Sequence, residues 1–193
     1  MPLKLLSSGG GSVLLTANTT ASDFTVNVPA VNGNMVTTAD TGSITQSMLG
    51  AGVYAGYGPA FSAYLGTNQS VSAGTYTKIQ YDTKVFDTAN CFSTTNYRFT
   101  PNVAGYYQIN GSVGFGTSSL TRGIIYLFKN GSSFLRGTDI AGTNIYNVIC
   151  SSLIYLNGTT DYVELYGWLS ATTPYFYGSS QDTVFSGFLA RAA

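Results

Sequence analysis

Two pairs of carboxylates stand close together in the chain, Asp82 with Asp87 and Asp161 with Glu164. A carboxylate pair across a bound sugar is the equipment of a glycosidase, one group protonating the leaving oxygen and the other attacking or activating water. The surroundings here argue against it. Asp82 and Asp87 fall in a loop, Asp161 follows a turn signal, and Glu164 sits on the polar face of a strand. Charged side chains in such places are as a rule solvated. No G-x-S-x-G run is present, and Ser186-Gly187 belongs to the last strand of the chain. There is no histidine, which removes an imidazole base and His-ligated metals. Asp82, Asp87 and Asp139 offer oxygen ligands for calcium, but such ligands are too common to be specific. The two cysteines, Cys91 and Cys150, lie far apart and read as small hydrophobes rather than a disulfide framework. The expectation is a protein without catalytic residues, resident metal or cofactor.

Binding chemistry has better candidates. Tyr175, Phe176 and Tyr177 follow Pro174; such rings can stack on sugars, or pack as core or at a subunit edge. Eight Lys and Arg balance eight Asp and Glu among 193 residues, too few cations to neutralise a phosphate backbone, so nucleic acid is not an expected partner. So little charge is unusual for an isolated monomer and points to surface buried against other copies of the chain. The aromatic content excludes disorder, glycine has no period of three, and no apolar run approaches the roughly 20 residues of a membrane-spanning helix. The apolar stretch at Leu3, Leu5 and Leu6 is too short for a secretory signal.

These residues need elements to hold them. From about residue 59 onward, strand signals recur with turns between them, and no stretch has a helical period. Tyr107, Ile109, Val113 and Phe115 alternate with Gln108, Asn110 and Ser112. Residues 123–129 lead to Asn130-Gly131, and residues 150–156 lead to Asn157-Gly158; both dipeptides predict tight hairpins. Asn110-Gly111 lies inside an alternating stretch and predicts no turn. Many short strands with turn residues between them make a β-sandwich or barrel. Two strands are apolar on both faces. One contains Ile125, Tyr126 and Phe128. The other carries Val148, Ile154 and Leu156 on one side and Ile149, Leu153 and Tyr155 on the other. A strand of a monomeric sandwich normally wets one face, so each of these needs outer cover, from a loop or from another subunit.

Residues 1–55 differ. They hold three charges, Lys4, Asp23 and Asp40, and brief alternating runs such as Ser12-Val13-Leu14-Leu15-Thr16 and Phe24-Thr25-Val26-Asn27-Val28. These strands are too few to enclose a core. The glycine-rich residues 40–58 read as a connector with one helical turn over 45–49.

The spacing Tyr81-x5-Asp87-x4-Phe92-x6-Phe99-x5-Gly105-x-Tyr107 resembles the signature of the C1q-like globular domain. The run from Tyr97 to Tyr107 is similar to that family's middle strands, and Gly178 to Leu189 to its closing strand. Tyr81 stands where the family has Phe, and Ile109 and Gly111 stand where it prefers aromatics. The resemblance implies an all-β, ten-stranded jelly-roll sandwich, shared with the tumour necrosis factor cytokines, that forms a homotrimer. It assigns Phe99, Tyr107, Val184 and Phe188 to the core and gives Gly105 a turn or close approach that a Cβ would block. The trimer interface is expected at Ile125, Tyr126, Phe128, Ile149, Leu153 and Tyr155.

The first 55 residues resemble the heads of bacteriophage fibre and appendage proteins. Together the two resemblances imply a virion protein in which residues 1–55 attach to other virion proteins and residues 56–193 form the projecting head. Tyr175, Phe176 and Tyr177 are the candidate contacts to a host cell-surface glycan. A secreted or spore-surface C1q-like recognition module is the alternative, and a glycan-degrading fibre enzyme a more distant one.

Overall fold

A computed structural model describes residues 3–6, 9, 12–15, 58–117, 119–142 and 146–193. The chain divides into two compact units, Met1–Thr41 and Gly42–Ala193. In the first, β1 (Leu3–Leu6) pairs antiparallel with β2 (Ser12–Leu15), Leu3 opposite Leu15 and Leu6 opposite Ser12. The expected strand over 24–28 and helical turn over 45–49 lie outside the described residues.

The second unit is all β among its described residues, with thirteen strands where ten were expected. In chain order they are β3 (Ala60–Tyr64), β4 (Gln69–Ser70), β5 (Thr77–Lys78), β6 (Thr83–Asp87), β7 (Phe92–Ser93), β8 (Arg98–Phe99), β9 (Ala104–Gly116), β10 (Arg122–Lys129), β11 (Ser132–Ala141), β12 (Asn147–Asn157), β13 (Val163–Ser170), β14 (Tyr175–Phe176) and β15 (Val184–Ala192). Five of these hold only two residues. One sheet has seven strands: β4, β14, β9, β15, β3 and β6 in order, with β12 also on β9. The other has six: β11, β10, β13, β8 and β7, with β5 also on β13.

The core lies between the sheets and is aromatic. Phe61 stacks on Phe99 at 4.4 Å between ring centres and on Phe92 at 5.0 Å, and meets Phe185 edge-on at 4.9 Å. Tyr81, which the C1q-like pattern fills with Phe, is fully buried, and its hydroxyl donates to the Ser112 carbonyl at 2.9 Å. That bond removes the cost of an unpaired phenol in an apolar core. Buried Tyr107 likewise donates to the Val103 carbonyl, at 2.7 Å.

The turns differ from one another. Lys129 faces Ser132 across Asn130 and Gly131, whose φ values of 52° and 77° are those of a type I′ hairpin. Asn157-Gly158 is not a hairpin turn: β12 pairs with β9 while β13 pairs with β10, so the chain crosses between sheets there. The Asn157 side-chain oxygen accepts the N–H groups of Thr159, Thr160 and Asp161, closing a wider loop. A local turn signal cannot distinguish the two cases, because the pairing partner is set elsewhere.

The closing strand also corrects the expected core. Phe185 sits opposite Gly111 and Gly187 opposite Ile109, on the inner face, whereas Phe188 sits opposite Gln108 on the outer face. Phe188 is 49% exposed and Val184 half-buried. Alternation allowed either register, with two apolar residues per face, and a shift of one residue exchanges the faces. Gly105 lies where β9 meets β15, and a Cβ there would stand 2.4 Å from the Arg191 carbonyl oxygen.

Candidate functional site

The four carboxylates considered for catalysis hold structure together. Asp87 ends β6 and accepts the N–H groups of Cys91 at 2.9 Å and Phe92 at 3.0 Å, with Lys84 beside it at 3.3 Å. Asp82 accepts from Gly66 N–H at 2.8 Å and the Thr83 hydroxyl at 2.9 Å. Asp161 accepts from the Asn130 amide, Asn157 N–H and the Lys129 ammonium, which donates also to the Tyr155 carbonyl. The Asn130 amide, followed by Lys129, holds the Asp161 carboxyl below the usual range. Glu164, expected to be solvated, is only 3% exposed: it faces outward on β13 but lies beneath Lys78, which pairs with it. Among the described residues no cluster of three or more His, Cys, Asp or Glu could hold a metal ion. Asp139 is taken by Arg122 and Arg136, and those hydrogen bonds and charges lower its pKa.

Both thiols are free and buried. Burial pushes the Cys150 thiol up to about 12 and raises that of Cys91, the reverse of what activates a nucleophile.

The aromatic triplet is divided by strand alternation. Phe176 points into the core with no exposure, its ring over Gly167, so it is not a ligand contact. Tyr175 lies half-buried across Gly116, and only Tyr177 is exposed.

The expected subunit contacts separate onto different sheets. Ile125 faces inward opposite Gly167 and is fully buried in the core, not at a surface. Tyr126 and Phe128 face outward on the six-stranded sheet and are covered from within the chain. Tyr76 packs edge-on against Tyr126 at 5.0 Å, and Tyr166 stacks on Phe128 at 4.1 Å. For β10, then, a loop and a neighbouring strand supply the outer cover.

Among the described residues no such cover lies over the seven-stranded sheet. Ile149, Leu153 and Tyr155 on β12, Tyr106 on β9 and Phe188 on β15 are 42% to 60% exposed. Tyr106 and Tyr155 meet edge-on at 5.5 Å. Between the apolar groups runs a polar strip: Gln108 donates to Ser151 at 2.8 Å, and Ser151 donates to Asn110 at 2.8 Å. Exposed Val85 and Phe86 lie on β6 at the edge of the same sheet. Sequence reasoning missed Tyr106, whose position opposite Tyr155 becomes visible only once β9 and β12 are paired.

Comparison with solved structures gives the same architecture. The globular domain of zebrafish complement 1qA superposes with a TM-score of 0.52 at 20% identity, over 70% of this chain and 99% of that one. Murine APRIL at pH 5.0 gives 0.51 at 9% identity, over 69% and 99%. The Eiger TNF of S. frugiperda gives 0.52 at 11% identity, over 71% and 96%. No family model matches the chain, and no curated protein matches it. The fold is that of the C1q and tumour necrosis factor globular domains, a β-sandwich of jelly-roll type.

Proposed function

We propose that the protein is a non-enzymatic, trimeric surface component of a bacteriophage particle, a short fibre or decoration. In this reading the C1q-like unit projects outward and the amino-terminal segment joins it to other virion proteins. The observation that carries it is the outer face of the seven-stranded sheet, which no described residue covers. An apolar patch built from Tyr106, Ile149, Leu153, Tyr155 and Phe188 marks an interaction surface, and aromatic residues are enriched at such surfaces. A second copy of the chain is the partner that also accounts for the low charge. The threefold order follows from the C1q-like resemblance, and the virion setting from the style of residues 1–55. Commitment of Asp82, Asp87, Asp161 and Glu164 to structural bonds supports a binding role over hydrolysis. Three copies presenting the same loops add weak contacts to a repetitive host surface through avidity.

Peptide mass spectrometry on purified particles of the encoding phage, with labelled standards, tests this. A fixed copy number is expected, low for a fibre and high for a shell decoration. Absence from particles would overturn the virion reading in favour of a soluble recognition module.

A further inference from the structure

A polar cleft of about 360 Å³ opens at the β7–β8 edge of the six-stranded sheet, lined by Asn90, Cys91, Phe92, Ser93, Asn96, Arg98 and Thr100. Asp87 fixes its back wall by accepting the N–H groups of Cys91 and Phe92. Arg98 projects from β8 with its guanidinium carbon 4.3 Å from the centre of the Tyr162 ring. Arg122 and Arg136 on the same sheet are both held by Asp139, but Arg98 has no carboxylate partner and spends none of its side-chain donors on an acceptor among the described residues. The exposed side-chain amides of Asn90 and Asn96 are equally uncommitted there. Lys78 donates to the Asn96 carbonyl at 3.4 Å and neutralises Glu164, so no free negative charge adjoins Arg98 on that side.

We infer that this cleft binds an anionic sugar, with Arg98 gripping its acidic group and the Asn90, Ser93, Asn96 and Thr100 side chains meeting its hydroxyls. A guanidinium presents a planar fork that matches a carboxylate or a phosphate. Amide and hydroxyl groups pair with the hydroxyls of a polyol. The site deepens the host-adhesion reading and rests on it for its biological setting.

The test titrates the full chain with galacturonate, galactose 6-phosphate and galactose, reading binding from broadening of the sugar NMR signals. At least one anion is expected to bind about tenfold or more tighter than galactose. Galacturonate alone would identify the acidic group as a carboxylate, galactose 6-phosphate alone as a phosphate. Arg98→Gln is expected to remove the preference, Arg98→Lys to restore part of it, and Arg136→Gln to leave it unchanged. If Arg98→Gln does not fold, Asn96→Asp serves instead, and the carboxylate it adds should weaken anion binding selectively. Equal binding of galactose, no binding of either anion, or an unchanged preference in Arg98→Gln would overturn the inference. Particles that carry the protein while it ignores all three sugars would leave the virion reading standing. Sugar binding by a protein absent from particles would do the reverse.

Discussion

Lys78 caps the carboxylate of Glu164 from the outer side of the six-stranded sheet, so the single glutamate of the chain is buried although it points away from the core. The two partners are unequal, since Lys78 remains about a third exposed and Glu164 does not. Removing the lysine leaves a buried, uncompensated carboxylate; removing the charge of the glutamate leaves a lysine that can turn to water. Lys78→Met is therefore expected to cost about 3 kcal/mol and Glu164→Gln about 1 kcal/mol. Urea unfolding of the two variants checks the order, and a larger cost for Glu164→Gln would contradict it.

The contact between Gly105 and the Arg191 carbonyl gives a second expectation. The obstructing atom is backbone on β15, which cannot swing aside as a side chain could. Gly105→Ala should destabilise by about 1–3 kcal/mol, read as a lower urea midpoint with unchanged slope. A change under about 0.5 kcal/mol would show that β15 is free to move there.

Acid should weaken the fold through Asp161 and Asp139. Both carboxyls are held below their usual range, Asp161 chiefly by the Asn130 amide and then Lys129, Asp139 chiefly by Arg122. A depressed carboxyl contributes its full stabilisation above its unfolded pKa of about 3.9, and loses it as pH falls through the lower folded value. Stability should hold from neutral pH to about 5 and then decline. Asp161→Asn should flatten that decline in a pH series of unfolding curves; an identical slope would contradict the assignment.

Thiol chemistry offers a probe of the core. With Cys150 at about 12 and Cys91 also raised, almost no thiolate exists at pH 8. Ellman's reagent should find no rapidly reacting thiol in the native protein and two after unfolding. Fast native reaction at either position would show that its burial is wrong.

How much of this was legible in the sequence depends on which interactions decide each feature. Alternation alone placed Tyr107, Ile109, Val113 and Phe115 on the inner face of β9, because the opposite positions are Gln108, Asn110 and Ser112. Asn130-Gly131 was legible because a type I′ turn is a local matter of positive φ. Where both faces of a strand carry apolar residues, alternation is silent. On β15 the pairing of Phe185 with Gly111 decided against Val184 and Phe188, and on β10 the pairing of Ile125 with Gly167 turned that side chain inward. The burial of Glu164 depends on Lys78, 86 positions away, and the Arg98 cleft on a hairpin whose strands are two residues long. Neither leaves a local signature.

The most direct measurement concerns the outer face of the seven-stranded sheet. Light scattering on the full chain should give three times the 20.4 kDa chain mass. Leu153→Asp, which puts a charge in the middle of the exposed apolar group, should return that mass to a folded monomer. A monomeric native protein, or a Leu153→Asp variant that keeps the trimer mass, would contradict the account.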